Sequence, residues 1–336
     1  MDVARQPASL TMVLALLFGG LFVSRHMLMP WPAEETATLP GILPGDLLAG
    51  AAARYSITAA VLCALMVLSN MMSLARTVIR NQISTARNYT TPLPYLLMAF
   101  AVFIPAVPIV PVMASFFIWR GIIYFIGSFK RTTSFSRVFL GAFFISLATL
   151  VYPQAIVYAL LIPIALQIFR RRTREGLVAL AGMIAPWFIT AYLVWAFGGE
   201  FTDIFVSLYN IVTSGSGGFP VGPGIAWILI YIFCGLAVIL TILGIVSYLF
   251  ASASMRTRAS AIISLMLFGT LIAGGGLFLP GASWSDLAIA ALPAAMMATL
   301  FFVRFTGRIP MLIYILLLIS AEALNFFPFV SGLLGL

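Results

Sequence analysis

Charged residues are scarce in this sequence of 336 residues, since Asp, Glu, Lys and Arg make up 8% of the chain while 62% is hydrophobic. A soluble domain usually carries about 25% charged residues, so an ordinary cytosolic enzyme is excluded. A mean hydropathy of +1.13 and apolar runs from Leu10 to Phe327 predict a chain that is mostly lipid-embedded helix. These runs do not alternate apolar and polar residues, which excludes a β-barrel.

Histidine and cysteine are also rare. The sequence has one histidine, His26, and two cysteines, Cys63 and Cys234, which both fall inside apolar runs and therefore behave as small hydrophobic residues. A single histidine excludes a two-histidine metal-binding helix, and it leaves a serine triad no histidine partner other than His26. Disulfide and redox chemistry receive no support from the sequence.

Basic residues are present in excess, with a net charge of +9, and they fall in alternate loops between predicted membrane spans. With the amino terminus inside and the carboxyl terminus outside, 15 of the 18 basic residues lie on the inner side, as the positive-inside rule requires. The charge therefore predicts orientation and contact with membrane lipid, and no nucleic-acid partner. The predicted fold is an all-α polytopic bundle, a single transmembrane domain over 1–336, with about eleven helices at 8–24, 52–75, 92–106, 109–128, 138–152, 154–169, 176–197, 225–250, 259–278, 287–303 and 309–327.

Acidic residues follow the opposite distribution, because six of nine lie in predicted outer segments. Either acids simply avoid the inner loops, or they build an outward-facing site. The outer loops 25–51 and 198–224 are the two segments long enough to contribute to such a site. In the second loop, apolar residues at helical spacing predict a helix at 201–212 that lies in the outer interface. The outer acids are Glu34, Glu35, Asp46, Glu200, Asp203 and Asp286.

Two predicted hairpins, 92–128 and 138–169, contain short spans. Fifteen or sixteen residues reach only ~23 Å of a hydrocarbon core of ~30 Å, so these hairpins are either tilted or partly re-entrant. Charges within the spans are costly unless they are paired or solvated. Glu322 in the last span either pairs with Arg54 near the outer end of the second, or Arg54 binds an anion; Arg120 lies near the middle of the fourth span.

Several of these features together resemble a known superfamily. A first span, an acid-bearing outer loop and proline-hinged hairpins that end in arginines are similar to the C-type (GT-C) membrane glycosyltransferases, which use polyprenyl-phosphate sugars. The segment 138–172, with Leu-Val-Tyr-Pro-Gln at its centre and Arg-Arg-Arg at its end, resembles their Gly-Leu-Ala…Pro hairpin, and Ala-Pro-Trp-Phe at 185–188 resembles their later core. Residues 76–210, including Arg-Asn-Tyr-Thr-Thr-Pro-Leu-Pro-Tyr-Leu-Leu, are also similar to an uncharacterised family of inner-membrane proteins in Bacteroidota.

The resemblance implies a glycosyltransferase in the bacterial inner membrane, with a polyprenyl-phosphate sugar as donor and a sugar or protein as acceptor. Inverting transfer requires a carboxylate base, and cations or a metal to stabilise the departing phosphate. We expect Glu34, Glu35 or Asp46 to be the base or a metal ligand, with a divalent cation as a candidate cofactor. Substrate contacts are expected from Arg25, His26 and Arg54 on the phosphate and from Glu200 and Asp203 on the acceptor side.

Two other classes of function remain open. A transporter or flippase for an amphipathic or lipid-linked solute would use the proline-interrupted hairpins as broken helices, and would need polar groups at both openings. A non-catalytic subunit of a larger membrane complex would instead present an apolar patch or a span lined with small residues to its partner.

Overall fold

The computed structural model describes residues 8–28, 43–83, 92–101, 109–129, 134–214, 225–252, 255–278, 286–305 and 307–334, and these are helical with short turns and no strand. The helices are α1 (Ala8–Leu28), α2 (Leu43–Arg54), α3 (Ser56–Arg80), α4 (Pro92–Ala101), α5 (Ile109–Ser128), α6 (Phe135–Val151), a 3-10 segment (Pro153–Leu160), α7 (Leu161–Ile168), α8 (Thr173–Ala196), α9 (Asp203–Ser214), α10 (Ile225–Ala251), α11 (Thr257–Gly276), α12 (Asp286–Arg304) and α13 (Arg308–Leu334).

Among the described residues, six helices are long and apolar enough to cross a membrane: α3, α5, α8, α10 from Ile228, α11 and α12. A helix needs ~20 apolar residues to span a hydrocarbon core of ~30 Å, and these six have 19 to 25 residues. The protein therefore has the character of a multi-pass helical membrane protein, as its composition predicts.

Small residues set the closest helix crossings. In the hairpin of α5 and α6, a Cβ built on Gly121 would lie 2.7 Å from the carbonyl oxygen of Gly141. Between α10 and α12, a Cβ on Gly244 would overlap the carbonyl of Met297. Lipid offers no hydrophobic drive for helices to associate, so such close backbone approach is a main source of packing energy. These crossings fix α5 against α6 and α10 against α12.

The helix α4 lies in the interior, with each residue from Leu93 to Ala99 buried. It packs against α3, α12 and α13, and it ends at Ala101, whereas the sequence predicts a span over 92–106. Positions 102–106 lie outside the described residues. Ten residues of α-helix rise ~15 Å, so α4 alone reaches about half of a hydrocarbon core.

The hairpin predicted over 138–169 is present, with its bend at Pro153. The backbone of Tyr152 is extended, Pro153 takes the first position of the 3-10 segment, and α7 continues from it. A 3-10 helix rises ~2.0 Å per residue against ~1.5 Å for an α-helix, so these 16 residues reach ~28 Å rather than ~24 Å. The mixed helix therefore compensates for the shortness of this arm.

The segment predicted as the outer loop 25–51 contains helix at both of its ends. Residues up to Leu28 continue α1, and α2 begins at Leu43, while 29–42 lie outside the described residues. The helix is interrupted at Tyr55. The second span therefore begins at Ser56 and runs to Arg80, not over 52–75. Pro44 and Gly45 near the start of α2 are residues typical of turns, so the sequence does not predict a helix there. Gly45 is required at this position, because a Cβ would collide with the carbonyl of Val151 at the end of α6.

One end of the bundle, here named the basic end, is identified by contacts that its arginines make with neighbouring helix ends. Arg171 donates to the carbonyl of Ser128 at the end of α5. Arg258 of α11 lies over the ring of Phe129, and Arg304 of α12 donates to the carbonyl of Ser247 in α10 at 2.9 Å. The opposite, acidic end carries Asp46, Glu200, Asp203 and Asp286 at helix ends. The structure thus separates charge along the bundle; which end faces the cytoplasm stays a prediction.

Candidate functional site

The 3-10 segment is the shared neighbour of several elements at the acidic end. It packs against α6, α9 and α11, and α2 rests on the last turn of α6 just before it. A run of eight residues is long for a 3-10 helix, and such segments often mark a functional or strained position. The acidic end is therefore organised around Pro153–Leu160.

Tyr158 of this segment lies within electrostatic range of Asp286, the first residue of α12. The Tyr158 side chain is buried, with 5% of its surface exposed, and the Asp286 carboxylate acts on it electrostatically. Asp286 itself is half-buried and makes further contacts. A carboxylate is thus held at a helix start, where the helix dipole favours negative charge, next to a buried phenol.

An apolar groove of about 240 Å³ begins immediately after Asp286. Its walls come from α4, α10, α11 and α12, and two of its wall residues, Val238 and Ile242, are more than half exposed, so the groove opens sideways from the bundle. Its volume lies just below the ~300–1,000 Å³ of drug-sized sites, which suits a narrow chain. The small wall residues of α11 and α12 are Ala273, Gly274, Ala290, Ala291 and Ala294.

The groove presents almost no hydrogen-bonding group. Its two hydroxyl side chains, Thr241 and Thr270, donate to carbonyls of their own helices, at 2.7 Å to Ala237 and 2.9 Å to Met266. A hydroxyl that is already bonded gains little from a polar ligand. The groove therefore fits a hydrocarbon chain better than a sugar or an ion.

Two of the predicted site residues, Asp46 and Arg54, lie on α2 and are ~12 Å apart along its axis. Asp46 and Arg54 are exposed and line one shallow surface depression with Leu47, Gly50, Ala51 and Tyr55. The guanidinium of Arg54 lies 5.7 Å from the centroid of the Tyr55 ring. Arg54 therefore belongs to a surface helix and not to the second span, and a carboxylate and a cation share one side of α2.

Of the other four site residues predicted in the first outer loop, the structure describes the backbone of two. Arg25 and His26 lie in the last turn of α1, whereas Glu34 and Glu35 fall outside the described residues. Their roles as phosphate contacts and as base or metal ligand stay predictions.

Glu200 and Asp203 flank the start of α9. The Asp203 carboxylate accepts a hydrogen bond from the backbone N–H of Glu200 at 2.8 Å, so it caps this turn, and both residues are exposed. The predicted interfacial helix is confirmed as a helix over Asp203–Ser214. Its apolar side faces α8, where Phe205 stacks on Trp187 with ring centroids 6.0 Å apart.

The two charges predicted inside the fourth and last spans, Arg120 and Glu322, differ in their surroundings. Arg120 donates to the Ser69 hydroxyl at 2.8 Å and lies 4.6 Å from the centroid of the Phe116 ring. Glu322 does not pair with Arg54: within the described residues, its Oε1 is buried and has no hydrogen-bond partner. Of the two alternatives drawn from the sequence, the pairing of Glu322 with Arg54 is therefore wrong, and anion binding by Arg54 stays a prediction.

A metal site is not assembled in the described part of the chain, where no three His, Cys, Asp or Glu side chains are close enough to hold an ion. Sequence reasoning missed Tyr158 and the groove, and it did not assign Asp286 to the site. Asp286 has a sequence signal, since it is an acid at the first position of a span. The groove has none, because its walls come from four separate helices.

Comparison with family models, with curated proteins and with solved structures finds no match for this chain. The likeness to the GT-C glycosyltransferases and to the Bacteroidota membrane family therefore remains a prediction from the residues that suggest it.

Proposed function

We propose that this protein is a membrane enzyme that transfers a sugar from a polyprenyl phosphate, with the prenyl chain in the groove of α10, α11 and α12. The observation that carries the proposal is the groove itself, which opens sideways and has its hydroxyl groups satisfied internally. An isoprenoid chain is a narrow hydrocarbon, and it can enter such a groove directly from the surrounding lipid.

The position of the groove favours a headgroup at the acidic end. Leu287 in its wall directly follows Asp286, so a chain lying in the groove would place its phosphate near the first turn of α12. Asp46 and Arg54 belong to the same end of the bundle. The headgroup would thus meet carboxylates suited to proton transfer and a cation suited to phosphate.

The proposed reaction is an inverting transfer. The acceptor hydroxyl oxygen attacks the anomeric carbon, and the bond between that carbon and the phosphate oxygen breaks. The electron pair of this bond stays on the polyprenyl phosphate, whose charge Arg54 would stabilise. The proton of the acceptor hydroxyl passes to a carboxylate, for which Glu34, Glu35 and Asp46 are the candidates.

The test fills the groove without disturbing the fold. A Cβ on Gly274 meets nothing within 4 Å, and Gly274 lines the groove, so Gly274→Leu places its side chain in the space assigned to the prenyl chain. The full-length protein is reconstituted with a photoreactive polyprenyl phosphate and then with a panel of polyprenyl-phosphate hexoses. Wild type should cross-link through α10–α12 and release hexose from the lipid.

The matched control is Gly275→Leu. Gly275 also has free space around its Cβ, but it is exposed and does not line the groove. We expect Gly274→Leu to lose at least tenfold in cross-linking and transfer, and Gly275→Leu to keep both. Equal cross-linking in both variants would remove the groove from the proposal, and cross-linking without transfer of any hexose would leave a lipid-binding protein rather than a transferase.

A further inference from the structure

Two arginines at the basic end have no carboxylate to neutralise them within the described residues. Arg258, near the start of α11, has a buried Nε atom without a hydrogen-bond partner there, and its guanidinium lies 6.0 Å from the centroid of the Phe129 ring. Arg80, in the last turn of α3, is close enough for its charge to act on Arg258. The two guanidinium groups therefore lie within electrostatic range of each other, where like charges repel.

The surrounding structure fixes Arg258 in this position. Phe129 packs edge-on against Phe169 with ring centroids 5.8 Å apart, so the ring beneath the guanidinium is anchored between the ends of α5 and α7. Arginine stacks on aromatic faces while its N–H groups stay available to an oxyanion. Arg258 is therefore preorganised, and Arg80 is exposed at the end of α3.

The carboxylate described at the basic end is already paired with other groups. Glu175, the one carboxylate described at the basic end, is 4% exposed and is engaged by Arg171 and by the backbone of Ser134. It compensates Arg171 and not Arg80 or Arg258. Basic pockets between helix ends of membrane proteins commonly bind lipid phosphate groups.

We propose that Arg80 and Arg258, with Phe129 beneath the second guanidinium, form a binding site for a phosphate oxyanion. The site lies at the end of the bundle opposite to Asp286 and the groove, so it does not depend on the proposed transferase activity. The phosphate would come either from an anionic phospholipid headgroup or from free phosphate in solution.

The test measures phosphate binding by the full-length protein in detergent. Native mass spectrometry counts retained phosphatidylglycerol against phosphatidylcholine, and thermal unfolding is followed with and without inorganic phosphate. We expect selective retention of phosphatidylglycerol in wild type, and a roughly five- to tenfold weaker retention in Arg80→Gln and in Arg258→Gln. Arg258→Lys, which keeps the charge but loses the planar fork, should give an intermediate loss.

Arg308→Gln is the matched control, because it removes one exposed arginine from the same end of the bundle. Retention lost in the two site variants but not in the control supports the site. Displacement by excess inorganic phosphate, or stabilisation by inorganic phosphate alone, then identifies free phosphate as the ligand, and resistance to it identifies the lipid. If Arg258→Gln fails to fold, the retention measured for Arg80→Gln, on the exposed last turn of α3, tests the proposal alone. Equal retention in Arg80→Gln and Arg308→Gln, with no effect of inorganic phosphate, would overturn the proposal.

Discussion

The carboxylate of Glu175 lies 3.3 Å from the Nη1 atom of Arg171, four residues earlier, and both side chains are buried, with 5% and 6% of their surfaces exposed. Glu175 also accepts hydrogen bonds from the backbone N–H groups of Ser134 at 3.0 Å and Arg172 at 3.3 Å. Arg171 in turn donates to the carbonyl of Ser128. One ion pair therefore ties together the ends of α5, α6 and α8 at the basic end.

Replacing Glu175 with Ala should destabilise the protein by about 3 kcal/mol, because it leaves a buried guanidinium and two backbone N–H groups without their acceptor. Glu175→Gln keeps the acceptor oxygen and should cost less. Thermal unfolding of the purified protein in detergent measures both. Glu200→Gln, at an exposed position, is the control, and an unfolding midpoint for Glu175→Ala equal to that of the control would contradict the role of the ion pair.

The crossing of α10 and α12 gives a second stability prediction. Gly244→Ala should destabilise by about 1–3 kcal/mol, since the added Cβ overlaps the carbonyl of Met297 and the helices must separate. Gly235→Ala on the same helix is the matched control, because a Cβ there meets nothing within 4 Å. It should be neutral or stabilise by up to about 1 kcal/mol through helix propensity. Indistinguishable unfolding curves for the two variants would show that α10 and α12 do not cross at Gly244.

The proposed roles of Asp46 and Arg54 at the acidic end are expected to give different kinetic effects. Asp46→Asn should abolish hexose transfer if Asp46 is the base, while cross-linking of the prenyl chain persists, because the groove is unchanged. Arg54→Gln should lower kcat and kcat/KM together, since it removes the cation that stabilises the charge developing on the departing phosphate. Initial rates with the polyprenyl-phosphate hexose that wild type uses as donor measure both effects. Arg308→Gln, at the opposite end of the bundle, is the control. Full activity of Asp46→Asn would shift the assignment of the base to Glu34 or Glu35.

The helix α9 shows where sequence reasoning succeeds. Ile204 and Leu208, four residues apart, fall on one side of a helix, and the structure buries Ile204 and half-buries Leu208 against α8. Periodicity within one segment is enough to predict such an element. The 201–212 prediction therefore differs from the observed helix by two residues at each end.

The groove and α2 show why the rest could not be predicted. Ala291 and Gly274 look like ordinary small residues of membrane helices, and only the arrangement of α10, α11 and α12 leaves a space between them. At the start of α2, Pro44 and Gly45 predict a loop, and only the contact of Gly45 with Val151 shows why a helix begins there. Both features depend on residues distant in the chain, which local patterns do not report.

The charge separation along the bundle leads to a prediction of membrane orientation. With Cys63 and Cys234 replaced by Ala, single cysteines at Ser207 on α9 and Arg308 at the start of α13 report the acidic and basic ends, and both native positions are exposed. Arginines concentrate on the cytoplasmic side, so in intact cells an impermeant maleimide should label Ser207→Cys, whereas Arg308→Cys should react only after the membrane is permeabilised. Labelling of Arg308→Cys alone in intact cells would reverse the orientation and place Asp46, Asp286 and the headgroup site in the cytoplasm. Labelling of both in intact cells would contradict the separation of the two ends by a bilayer.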